Sequence, residues 1–118
     1  MRIAVIASSN RIVPAGLVLQ KLDNHVASLH DVELVVIEKS TESLLVEGWA
    51  SKKKLKVIRF PSPDWRRLGR AAGSICNTTI RDNSDYGIFF QFNESSDIKD
   101  LVKKFEDKGK KYLLFKDK

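Results

Sequence analysis

The sequence predicts an α/β protein, a single three-layer domain on a five-stranded, mostly parallel sheet, and three observations carry that prediction. Compact apolar runs, several rich in β-branched residues, recur at 1–7, 32–37, 55–60, 86–92 and 111–115. The gaps between them hold stretches with helical apolar spacing or a helix-start signature. The chain has 118 residues, 42% hydrophobic and 31% charged, which suffices for one folded domain whose core needs no staple.

The first run, 1–7, is mostly aliphatic with little alternation, the mark of a strand covered on both faces. Ser8, Ser9, Asn10 and Arg11 follow it. Pro14 then stands as an early helical residue ahead of Leu17, Leu19, Leu22, Val26 and Leu29, whose spacing predicts a helix of about four turns. The run 32–37 is the second strand. Ser40, Thr41, Glu42 and Ser43 supply capping oxygens for a second helix carrying Leu44, Leu45, Trp49 and Ala50. Lysines 52–54 suit the carboxyl end of that helix, and 55–60 is the third strand.

Pro61 and Pro63 hold the chain extended, and Asp64 is placed to cap a third helix. Within that helix Gly69 and Gly73 stand four apart around Ala71 and Ala72, which predicts a nearly bare face that a sheet or a ligand could approach closely. Arg66, Arg67, Arg70 and Asn77 add donors. The run 86–92 is the fourth strand, and Ser95 or Ser96 caps a helix with Ile98, Leu101, Val102 and Phe105 on one face. Gly109 stops it, and 111–115 is the last strand.

Right-handed crossovers leave few strand orders, of which 3-2-1-4-5 is favoured, giving a Rossmann-like domain over residues 1–118. Its switch point lies between strands one and four. The default crevice is therefore formed by the loops after them, at 8–11 and 92–96.

Composition narrows the function classes. Cys76 is the only cysteine, so one chain forms no internal disulfide and no thiolate metal cluster, and a reducing cytoplasm is the simplest setting. The first apolar run is too short for a membrane span. The net charge is +6, from 21 Lys plus Arg against 15 Asp plus Glu. The excess suits a phosphate or an acidic protein surface, while the lysine clusters lack the interleaved aromatics of a nucleic-acid platform. His25 and His30 are poorly spaced for a shared metal, and no cofactor is implied. Trp49 reads as packing; Trp65 reads equally as packing or as a ligand platform.

The run Trp49-Ala50, Phe60-Pro61, Asp64-Trp65 and then 69–77, Gly-Arg-Ala-Ala-Gly-Ser-Ile-Cys-Asn, resembles the small YspA/YpsA-like branch of the SLOG superfamily. That branch reads Phe-Pro-Ala-Asp-Trp and Gly-Lys-Ala-Ala-Gly-Pro-Ile-Arg-Asn there. The superfamily includes the Lonely-guy phosphoribohydrolases, the DprA/Smf proteins and sensor domains for nucleotide-derived signals. The resemblance implies a Rossmann-like fold, a phosphate-bearing ligand and a site often completed at a homodimer interface.

The departures are as informative. The family's glycine-rich loop after strand two is here 38–43, Glu-Lys-Ser-Thr-Glu-Ser, where hydroxyls could partly replace bare amides but two glutamates oppose an anion. The Gly-Ser-Arg after strand one becomes Ala7-Ser8-Ser9-Asn10-Arg11, the Pro-Gly-Gly loop after strand four becomes 92–96, and the family arginine before Asn77 is Cys76.

Hydrolysis would need a placed carboxylate, and Glu38, Glu42, Glu94 and Asp97 lie on loops at strand ends without the right neighbours; Glu94 is the catalytic candidate. Binding asks for less. The candidate ligand-binding residues are Ser8, Ser9, Asn10 and Arg11; Ser40 and Thr41; Asp64, Trp65, Arg70, Gly73 and Asn77; and Asn93 and Ser95. The leading expectation is a non-catalytic sensor or sponge for a nucleotide-derived ligand, of the kind that can blunt a defence or stress response. The alternatives are a fold reused to dock on an acidic protein partner, and a phosphoribohydrolase-like enzyme.

Overall fold

The strands are buried on both faces because both faces are covered by helices. The computed structural model describes residues 1–7, 14–91 and 96–116, apart from the side chains of residues 41, 65, 70, 96 and 97. The elements are β1 (Arg2–Ala7), α1 (Ala15–His25), β2 (Glu33–Ile37), α2 (Thr41–Lys52), β3 (Lys56–Phe60), α3 (Trp65–Leu68), a 3-10 turn (Gly69–Ala71), α4 (Ala72–Asp82), β4 (Tyr86–Gln91), α5 (Ser96–Asp107) and β5 (Lys111–Lys116). The sheet order is β3-β2-β1-β4-β5, as the sequence predicts, and all four pairings are parallel.

Alternate strand residues feed two separate cores. On one face Ile3, Val5, Leu34, Val36, Ile88 and Phe90 meet Val18 and Leu22 of α1 and Val46, Trp49 and Ala50 of α2. On the other, Ala4, Ile6, Val35 and Phe89 meet Cys76 and Ile80 of α4 and Ile98, Leu101 and Phe105 of α5. This is the three-layer arrangement of a Rossmann-like domain. Phe89 anchors its layer by an edge-on contact with Phe105, ring centroids 4.9 Å apart. Among the described residues no helix is long and apolar enough to cross a membrane.

Three expectations need correction. The first helix ends at His25, a turn earlier than its apolar spacing suggests, because Val26 drops into the core and the Leu29 amide bonds to the Val26 carbonyl at 2.9 Å. Pro14 sits at the N-cap of this helix and Ala15 is its first residue. The central segment is broken into α3, the 3-10 turn and α4. Gly69 has φ +57°, which a right-handed helix cannot contain, so its missing Cβ serves the turn. Gly69 and Gly73 therefore do not form one bare helical face. A Cβ at Gly69 would meet nothing within 4 Å, so no close approach explains that glycine.

Candidate functional site

In a parallel sheet every strand ends at the same edge, and β1 and β4 end side by side here, with Ala7 paired to Phe90. Three of the buried polar side chains gather at this edge: Glu42 and Ser43 in the first turn of α2, and Gln91 closing β4. Glu42 is 2% exposed, and its Oε1 accepts the amide of Ala7 at 3.2 Å, so the carboxyl of α2 rests on the end of β1. Burial raises its pKa above the ordinary 4.5, against the opposing pull of its own amide, the Ala7 amide and the Ser40 hydroxyl. A desolvated carboxyl at a strand end is a feature that recurs at functional sites.

Local chemistry fixes this geometry. Ser40 caps α2 by accepting the Ser43 amide at 3.2 Å, and its own hydroxyl donates to the Ile37 carbonyl at 2.7 Å. The Ser43 hydroxyl donates back to the Ser40 carbonyl at 2.7 Å. Just before the cap Lys39 adopts φ 61°, a left-handed backbone that glycine favours. The loop after β2 thus keeps a glycine-like backbone at one position without having a glycine. It is tied sideways to the next loop, since the Ser62 hydroxyl donates to the Glu38 carbonyl at 2.7 Å and the Glu38 amide to the Phe60 carbonyl at 2.8 Å.

Asp64 performs its predicted cap, accepting the Arg67 amide at 3.2 Å and pairing with the Arg67 side chain at 3.4 Å. A cleft of about 170 Å³ opens there, lined by Pro61, Asp64, Arg67, Ile75 and Cys76 among others. The Cys76 thiol is buried and lies 3.9 Å from the Pro61 carbonyl oxygen. Gly73 is half-buried in the first turn of α4. Asn77 is no helix-surface residue. It is 5% exposed and donates to Asp100 at 3.0 Å, while Lys104 binds the same carboxylate and the Ser74 hydroxyl at 3.0 and 3.1 Å. That chain of contacts joins α4 to α5.

The structure thus brings Ser40 and Asp64 to neighbouring loops, with Glu42 between β2 and β1, and puts Asn77 on the opposite face of the sheet. Ser8, Ser9, Asn10, Arg11, Asn93, Glu94 and Ser95 lie outside the described residues, as do the side chains of Thr41, Trp65 and Arg70. Among the described residues, no three His, Cys, Asp or Glu side chains are grouped to hold a metal. Trp49 is packed as its spacing suggests, and its indole donates to Asp23 at 2.8 Å.

Sequence reasoning missed how deeply Glu42 is buried and did not single out Gln91. Glu42 reads as one of the capping residues of α2 and as a carboxylate at a strand end, and only the sheet order reveals that this turn abuts β1. Gln91, a polar residue inside the apolar run 86–92 beside the switch point, was the available signal. Compared with known proteins, the chain matches no protein-family model, no curated protein and no solved structure.

Proposed function

We propose that this chain is a non-catalytic binder of a small nucleotide-derived, phosphate-bearing ligand, held at the crevice between the carboxyl ends of β1 and β4. The observation that carries the reading is the buried polar group at this edge: Glu42 on the Ala7 amide, with Gln91 at the end of the adjoining strand. Switch-point crevices of doubly wound sheets are where such folds take ligands. Glu42 suits a hydroxyl or amino group of a sugar or base and opposes a phosphate beside it. The phosphate accordingly belongs toward the amino end of α1, where the helix dipole favours an anion, and Arg11, four residues before Ala15 in the sequence, is the donor expected there. The resemblance of residues 49–77 to the SLOG superfamily supports the same ligand class, and a sensor or a sponge asks for binding alone.

Thermal shift of the purified protein against nucleotides, cyclic dinucleotides and ADP-ribose derivatives tests this reading. Ligand at a hundred times its dissociation constant stabilises by about 2.7 kcal/mol, and Arg11→Ala and Glu42→Ala should each reduce that gain. A panel without a shift overturns the reading, as does a shift that both substitutions leave intact.

A further inference from the structure

A second surface lies away from the strand ends. Right-handed crossovers place α1 and α2 side by side on one face of the sheet, and an open groove of about 510 Å³ runs between them. Leu19, Leu45 and Trp49 form its apolar floor, Leu44 flanks it at 75% exposure, and Lys52 and Lys53 line it toward the end of α2. Along α2, Leu44, Gly48 and Lys52 are spaced by one helical turn and form a single outward row. Gly48 is a notch in that row, since a Cβ built there meets nothing within 4 Å.

The lining charges of the groove leave a positive excess, Lys52 and Lys53 against Asp23. Asp23, its lining carboxylate, already accepts the Trp49 indole hydrogen at 2.8 Å. Lys53 stands 5.9 Å from the centre of the Trp49 ring, and neither Lys52 nor Lys53 is in an ion pair among the described residues. Lys54 extends the basic end as an exposed residue. We propose that this groove docks an acidic amphipathic helix of a partner protein, its apolar stripe on Leu19, Leu44, Leu45 and Trp49 and its carboxylates at Lys52 and Lys53. Two neighbouring helices offer a third a groove of matching shape, and the Gly48 notch lets its backbone come close. The +6 net charge disfavours a basic partner and a second copy alike.

The test titrates the full chain, isotope-labelled for NMR, with a synthetic helical peptide of about four turns carrying leucines at i, i+3, i+4 and i+7 and glutamates elsewhere. A control peptide keeps the leucines and replaces the glutamates by lysines. The acidic peptide should move the Trp49 indole signal and the amides of α1 and α2, and the basic one should leave them in place. Lys52→Glu with Lys53→Glu should weaken the acidic peptide about tenfold or more. Gly48→Gln should weaken it comparably without lowering Tm, because the new side chain enters open space and glutamine is the better helix former. Equal binding of both peptides, absence of binding, or indifference to these substitutions overturns the proposal. So does self-association of the protein that Gly48→Gln abolishes, which would make the occupant a second copy.

Discussion

The two edges of the sheet handle their polar groups differently. At the amino edge, charges are matched where they stand. The Arg2 amide donates to the Asp85 carboxylate at 2.8 Å, Glu33 lies 3.8 Å from Arg2 and 3.6 Å from Lys56, and the half-buried Lys110 ammonium donates to the Arg81 and Ser84 carbonyls at the end of α4. A cation on the last carbonyls of a helix satisfies acceptors and complements the dipole at once. The buried Ser84 hydroxyl, without a hydrogen-bond partner among the described residues, is the polar cost of that edge. At the carboxyl edge a carboxylate is buried against amides and a hydroxyl with its pKa raised, an arrangement that does not favour stability at neutral pH. The difference teaches that the amino edge pairs its charges at the surface, whereas the carboxyl edge holds a desolvated carboxyl on the Ala7 amide at the end of β1.

The largest expected effect breaks the frame that both edges share. Gly87 lies in β4 with the Phe89 ring folded over it, so a Cβ there collides with that ring. Gly87→Ala should cost about 3 kcal/mol in urea unfolding, because Phe89 is fully buried and has nowhere to move. Next, Lys110→Met should remove about 2 kcal/mol by leaving two helix-end carbonyls without their charged donor, and should leave any nucleotide-induced shift intact. An equal loss of ligand response would blur the division between the edges.

The smallest effect sharpens the comparison through pH. A carboxyl whose folded-state pKa is raised stabilises the fold fully below its unfolded value of 4.5, and that contribution is lost as pH rises through the raised folded value. Wild type should therefore lose stability relative to Glu42→Gln across that window and hold a constant difference above it. Urea midpoints of the two proteins measured from about pH 4 to about pH 8 read this directly. Parallel curves would mean that Glu42 is solvated.

The fold was legible because its signals are local. Apolar runs marked all five strands, Ser40 and Asp64 marked two helix starts, and handedness ordered the sheet. Trp49 was legible as core, yet its partner Asp23 was not, since a contact spanning 26 residues leaves no local trace. The break at Gly69 escaped because a glycine among alanines reads as well for a bare helical face as for a left-handed turn. Glu42 escaped for a related reason: its burial is decided by where β1 ends, a tertiary fact that helix position alone does not carry.

The measurement that tests the central claim most directly is an amide NMR map of the isotope-labelled full chain, with and without the nucleotide that gives the largest thermal shift. Binding at the β1/β4 crevice predicts perturbation of the Ala7, Glu42 and Gln91 signals, with Arg2, Asp85 and Lys110 unchanged. Perturbation centred on the amino edge, or on α1 and α2 around Trp49, would contradict it.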